Sequence, residues 1–515
     1  SSFGYAQNPD YKSLWNQVEN YELEGLPKSA LNVVEEISEL AKKDKNTSQQ
    51  IKTLLFKSKF ALVLEEDAQL NIINEFKTEI ATSDFPKKNI LENMLANLYW
   101  QYFNQNRYTF YNRTKTVEKV NSEDFRTWDL ETLFEEIHIH YQNSLENGLM
   151  LQLEALGKYD DILIVANDSK QLRPTLFDFL SHNALDFYKT NETSITKPAY
   201  KFEIDNSDFL GDAKTFSLLP ITSKDTTSLQ LYALKIYQNL IRFHLKDKNP
   251  LALTEVNIER LQFVMQQATF NDKDALLYKT LEIERDQINA HEASGLYDFE
   301  IASILHQQGL TYQPKTNIEH RWKTKEAFDI CNNVISKFPQ SKAAEKCTVL
   351  KEQIKRQSLQ ITTEDFLPIQ QESRLLIGYR NINELHFKIF KLTPKEFKKF
   401  NSLYNEVEQL AFIKALKNPL EWTSPLKNEQ DFQTHTTEVL VPKLDNGRYL
   451  IFTSPDKEKE ETFAFSTIQV TNLALVERDN LTNHIFQIID RTNGKPIANT
   501  KSTLRFYQNN SRNYS

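Results

Sequence analysis

Glycine is scarce in this chain, with 10 in 515 residues, well below the usual share of about 7%. Glycine supplies the tight turns and close backbone approaches of phosphate-cradling loops. Its shortage therefore speaks against a Rossmann or P-loop enzyme. No stretch of about 18 apolar residues occurs, so no segment reads as a membrane-crossing helix. The net charge of −8 is mild, and no basic face or tail marks a nucleic-acid partner. No His-Glu-x-x-His and no Gly-x-Ser-x-Gly nucleophile elbow are present. His138 and His140 lie two apart, which on a helix turns them to different faces. Gly494-Lys495 lacks the upstream glycine of a phosphate loop and precedes Pro496, so it reads as a hairpin turn. Carboxylates are abundant, but no pair and no metal-ligand set stands out. The expectation is a protein without catalytic residues, cofactor or metal.

The apolar content of 40% supports sizeable cores, and the length leaves room for about three domains of roughly 150 residues. Small Gly4 and Ala6 fit the −3 and −1 positions of a signal-peptidase site, so residues 1–6 are expected to be the remnant of an export signal. No Cys follows Ala6 to carry a lipid.

From residue 8 to 357 the apolar residues recur at helical spacing. Ala30, Val33, Val34, Ile37, Leu40 and Ala41 form one stripe, with Pro27 just inside the helix start. Leu54, Leu55, Phe60, Leu62 and Val63 mark the next helix, and 89–103 another. Further helices are expected over 130–145, 174–188, 228–245, 251–267, 274–288, 297–306, 322–338 and 341–356. Short polar connections suggest helix pairs that stack as a degenerate solenoid. The last pair resembles a tetratricopeptide repeat, with Phe338-Pro339 ending one helix and Ser341 capping the next; any helical hairpin remains the alternative. Cys331 and Cys347 each lie eight residues from Pro339. At about 1.5 Å rise per residue both sit at similar height above the turn, on apolar stripes, so they can form a disulfide. The alternative is two reduced, buried thiols.

One local composition stands apart. Trp100, Tyr102, Phe103, Tyr108, Phe110 and Tyr111 alternate with Arg107 and Arg113. Aromatics and arginine dominate binding hot spots, so Trp100, Arg107, Tyr108, Tyr111 and Arg113 are a candidate partner surface. Core packing between two helices is the commoner reason for such a cluster.

Beyond residue 357 the period changes from 3.6 to 2. Leu385, Phe387 and Ile389 alternate with His386 and Lys388, as on a half-buried strand. A helical insertion is expected over 394–416. Strand signals return at 437–441 and 448–453, with the turn signal Asp445-Asn446-Gly447 between them. A strand over 463–470 closes one antiparallel sandwich. A second unit opens with strand signals at 473–475 and 485–489, the turn 490–496, and a strand over 503–507. So few strands do not complete a sandwich, and the natural protein is expected to continue.

The runs "RLLIGYRNINELHFKIFKL" (374–392), "LDNGRYLIF" (444–452) and "VTNLALVERDNLTNHIFQIIDRTNGKPIANT" (470–500) resemble the alpha-2-macroglobulin family. The likeness is to its large bacterial members of the Bacteroidota type. "YWQYFNQNRYTFYNRT" (99–114) and "FRTWDLETLF" (125–134) resemble their helical N-terminal region. The resemblance implies a multidomain chain: a tetratricopeptide-like helical region over 8–357, a first macroglobulin-like β-sandwich over 358–470, and the start of a second over 471–515. Such proteins trap proteases that cut an exposed bait segment, and many then couple to the attacker through a Cys-x-Glu-Gln thioester. Cys331 is followed by Asn332 and Asn333, and Cys347 stands too far before Glu352-Gln353, so neither fits that motif. The bait and any thioester are expected downstream. The alternative is a cell-envelope scaffold that docks other proteins without trapping. Either role implies export to the periplasm or cell surface of a Gram-negative bacterium, with proteases or envelope proteins as partners.

Overall fold

The computed structural model describes residues 10–111, 123–166, 169–190, 192, 200–457 and 461–503. The expected signal remnant at 1–6, Arg113 and most of the strand expected at 503–507 lie outside the described residues. The chain divides into two compact units, Ser1–Ile301 and Ala302–Ser515.

The first unit is helical. It carries α1 (Tyr11–Leu23), α2 (Pro27–Lys43), α3 (Thr47–Leu64), α4 (Ala68–Thr82), α5 (Lys87–Tyr111), α6 (Leu130–Ser144) and α7 (Gly148–Leu153). Then come α8 (Ser169–Leu172), α9 (Leu176–Tyr188), α10 (Ala213–Leu218), α11 (Leu229–His244), α12 (Leu251–Gln267), α13 (Lys273–Gln287) and the start of α14 (Ser294–Leu310). Local chemistry sets their ends. Pro27 occupies the first turn of α2, where its missing N–H costs nothing, and Lys42 and Lys43 complement the negative end of its dipole. Thr175 and Asp178 form a reciprocal capping box on α9. On α2, Ala30, Val34, Ile37 and Ala41 are buried. With Leu14, Val18 and Phe60 most of this stripe builds one apolar cluster across α1, α2 and α3. On α3 only part of the expected stripe faces inward. Leu54 and Phe60 are buried, while Leu62 and Val63 are exposed. Helix α5 outruns the expected 89–103 and reaches Tyr111, passing through non-helical angles at Asn106. Among the described residues no sheet occurs before residue 358; the only β features are isolated bridges such as Ala155–Thr175.

The second unit starts within α14 and continues through α15 (Lys323–Lys337) and α16 (Lys342–Lys355). This helical hairpin belongs to the same unit as the strands, although the periodicity changes only at 357. Polar contacts explain the grouping. Arg321 Nε donates to the buried carboxylate of Asp431 at 2.9 Å, Gln433 Nε2 donates to the Gly309 carbonyl at 3.1 Å, and Asn381 Nδ2 to the Ile354 carbonyl at 2.9 Å.

The strands are β1 (Ser358–Thr362), β2 (Phe366–Leu367), β3 (Ser373–Arg380), β4 (Glu384–Leu392), β5 (Leu420–Pro425), β6 (His435–Val441), β7 (Gly447–Ser454) and β8 (Ala464–Val470). They form a three-stranded sheet, β1-β3-β6, and a five-stranded sheet, β2-β8-β7-β4-β5. All pairs are antiparallel except β2–β8. Leu375, Ile377, Val439 and Val441 of the first sheet share one core with Leu385, Phe387, Ile389, Ile451 and Ile468 of the second. Period 2 puts the neighbouring residues of β4 and β7 on the opposite face. There Phe390, Leu392, Leu450 and Phe452 meet Phe400 of α17 (Pro394–Phe400) and Ile413 of α18 (Glu406–Ala415). The helical insertion thus covers the outer face of the larger sheet, which is why β7 is buried on both sides.

Asp445-Asn446-Gly447 bends the chain at Asn446 but closes no hairpin. It carries the chain from β6 in one sheet to β7 in the other. Asp445 is tied by the side-chain amide of Gln370 at 2.6 Å, and its carbonyl accepts the Tyr449 hydroxyl at 2.9 Å. Beyond β8, β9 (Leu473–Asn480) and β10 (Asn483–Asp490) pair as a separate antiparallel hairpin, on which Leu473, Leu475 and Ile485 are exposed.

Candidate partner surface and buried polar centres

The aromatic run at the end of α5 splits between core and surface. Trp100, partly buried, stacks on Phe103 at 5.3 Å and meets Phe134 and Phe187 edge-on at 6.0 and 5.3 Å, so much of its indole packs between helices. Phe103 and Phe110 are fully enclosed. Arg107 Nη2 lies 2.9 Å from Glu192 Oε1, and the Tyr111 hydroxyl donates to the same carboxylate. Tyr108 points outward at 83% exposure. Of the expected surface, the structure gathers Arg107 and Tyr111 on Glu192, leaves Tyr108 outside and draws Trp100 in.

Cys331 on α15 and Cys347 on α16 are both at 0% exposure. Each occupies a small-residue position in the hairpin interior, on the stripes of Ala327 and Val334 and of Ala344 and Leu350. His138 and His140 part as their spacing requires. His138 Nδ1 meets the Tyr188 hydroxyl at 2.8 Å, while His140 meets the carboxylate of Glu92.

Two buried polar centres lie among α9 to α13. Arg260 has 0% exposure, and its guanidinium donates to the carbonyls of Phe209 at 2.6 Å and Gly211 at 2.9 Å, and to Asn257. Burial pushes its pKa down to about 10, against the nearby Glu284 carboxylate. The arrangement satisfies otherwise orphaned carbonyls, a structural task. The second centre begins at Asp178 on α9. Its carboxylate accepts from the Thr175 backbone at 2.9 Å and from His244 Nε2 at 2.7 Å, while His244 Nδ1 meets Asp247 at 2.7 Å. Burial works to lower the His244 pKa, but the two carboxylates outweigh it and raise it. One turn along α9, His182 faces Glu255 and Glu259 of α12, with Arg173 beside both glutamates. These three side chains offer ligand atoms within 4.8 Å of one another. The sequence shows only the Glu255–Glu259 spacing of one helical turn; nothing in it brings His182 to that pair. A second such group, Glu477, Asp479 and His484, is exposed on the β9–β10 hairpin. A cleft of about 420 Å3 between α7, α9 and α11 is lined by Phe177, Ile236, Arg242 and Lys246 among others.

No family profile matches this chain, and no curated protein matches it. Solved structures give partial likenesses. A crystal structure of native alpha-2-macroglobulin from Escherichia coli, spanning domains MG0-NIE-MG1, is similar at 13% identity over 27% of this chain, with a TM-score of 0.21. The match spans 47% of that chain's own length. A shorter piece of the same protein, spanning NIE-MG1, matches at 13% identity and a TM-score of 0.21, over 28% of this chain and 74% of that one. An alkylpurine DNA glycosylase of Pseudomonas fluorescens bound to DNA matches at 10% identity and a TM-score of 0.14, over 78% and 96% of the two chains.

Proposed function

We propose that this chain is the helical and first sheet-bearing part of an exported, non-enzymatic macroglobulin-type protein that traps proteases. The observation that carries the reading is where the resembling segments fall. Residues 374–392 run from β3 into β4, 444–452 carry the bend into β7, and 470–500 contain the β9–β10 hairpin. These segments therefore connect the two sheets of the shared core and begin the element after it. In this reading the two sheets are a first macroglobulin-like sandwich, the helical region is a degenerate tetratricopeptide-like solenoid, and the periplasm or cell surface is the site of action. The bait, and any thioester, belong downstream. Incubation of the full-length protein with a broad-specificity protease tests it. A single early cut followed by a compact, faster-eluting species supports the trap. Progressive digestion from many sites, with no compaction, sinks it.

A cell-envelope scaffold is the second reading. It is favoured by the exposed Tyr108 beside the Arg107–Glu192 pair on the helical region. A scaffold would keep its partners when Tyr108 is intact and lose them on Tyr108→Ala, with no response to protease cleavage.

A further inference from the structure

The contact between α9 and α12 holds polar groups that protein binding does not use. His182 is 4% exposed, and its Nε2 has no hydrogen-bond partner. Its Nδ1 lies 2.8 Å from the Asp178 carbonyl oxygen. A carbonyl can only accept, so Nδ1 carries the hydrogen and Nε2 presents its lone pair. Two carboxylates lie near that nitrogen. Glu259 Oε2 lies 3.8 Å from Nε2, and Glu255 stands one helical turn away on the same face of α12. An unsatisfied, buried imidazole nitrogen is costly unless something fills the place in front of it.

We propose that His182, Glu255 and Glu259 bind a divalent first-row metal ion, with zinc the best fit to one imidazole and two carboxylates. The inference is independent of the trap reading. Zinc bonds to nitrogen and oxygen of about 2.0–2.2 Å set tetrahedral ligand atoms roughly 3.4 Å apart. The 3.8 Å between Nε2 and Oε2 closes to that with a small side-chain rotation. The surroundings match what a ligand histidine needs. A backbone carbonyl fixes the tautomer and the ring plane. Asp178, which supplies that carbonyl, is itself locked by Thr175 and His244. The glutamate side chains keep 23% exposure, which gives an ion a way in.

Arg173 is the competing cation. Its Nη2 lies 3.3 Å from Glu259 Oε1 and 3.8 Å from Glu255 Oε1, on the carboxylate oxygens other than the Glu259 Oε2 that faces His182. At 37% exposure it can move into solvent as an ion enters.

The test uses the whole chain, stripped with chelator, in a His484→Gln background that removes the exposed cluster on the β9–β10 hairpin. Zinc titration by calorimetry and metal content after gel filtration are read together, with the visible spectrum of Co2+ as a signature of bound imidazole. One equivalent of zinc per chain is expected. His182→Asn and Glu255→Gln should each weaken binding about 100-fold or more and remove the Co2+ bands. Arg173→Gln should tighten binding several-fold, a gain that a purely structural cluster would not show. Glu255→Gln, at a partly exposed position, decides the matter if His182→Asn fails to fold. Failure of the background protein to take up an equivalent of zinc, or unchanged affinity in the folded variants, overturns the proposal.

Discussion

The imidazole of His244 sits between two carboxylates, with its Nε2 2.7 Å from Asp178 Oδ1 and neither side chain of that pair exposed to solvent. A carboxylate only accepts, and Asp247 takes the other ring nitrogen at 2.7 Å, so His244 is held as a cation in the interior of the helical unit.

Removing one partner of this pair should leave a buried charge uncompensated. Asp178→Asn is expected to destabilise the helical unit by about 3–5 kcal/mol in denaturant unfolding followed by circular dichroism. A loss below about 1 kcal/mol would show that water already screens the pair.

The same pair has a pH signature. The folded pKa of His244 is raised above its unfolded value of about 6.5. Its contribution is therefore fully present below about pH 6.5 and fades as pH rises through the folded value. The stability gap between the wild-type protein and Asp178→Asn should be widest near pH 6 and narrow under alkaline conditions. A gap that widens with pH would assign His244 the opposite, neutral state.

The aromatic run on α5 can be divided by stability alone. Trp100→Ala should cost about 3 kcal/mol, because its indole fills space among Phe103, Phe134 and Phe187. Tyr108→Ala should change stability by no more than about 0.5 kcal/mol. Equal losses at both positions would place Tyr108 in the core as well.

Strand β7 should be sensitive on both faces. Ile451→Ala opens the core between the sheets and Leu450→Ala the contact with α17 and α18. Each is expected to cost about 2–5 kcal/mol in equilibrium unfolding. A small effect of Leu450→Ala alone would mean that the two helices do not stay packed on the sheet.

The sequence carried the helices and strands well where periodicity is a local property. The stripe of Ala30, Val34, Ile37 and Ala41 and the alternation of Leu385, Phe387 and Ile389 are both buried as read. It did not carry the division of strands between sheets. Asp445-Asn446-Gly447 has hairpin chemistry, yet its flanking strands pair with β3 on one side and with β4 and β8 on the other, a choice made by the shared core. Strand β5 was illegible because it is an edge strand with no buried residue and ends in Pro425. The cluster at His182 was hidden for the same reason. Two glutamates one turn apart are commonplace, and only the packing of α9 on α12 adds the imidazole.

The central claim, that this chain belongs to a protease trap, is tested most directly by what a captured protease can still do. After the full-length protein is mixed with a broad-specificity protease, the account predicts near-complete loss of activity against a large protein substrate. Cleavage of a small chromogenic peptide should persist, because an enclosed active site still admits small molecules. Undiminished cleavage of the large substrate, or loss of both activities together, would contradict it.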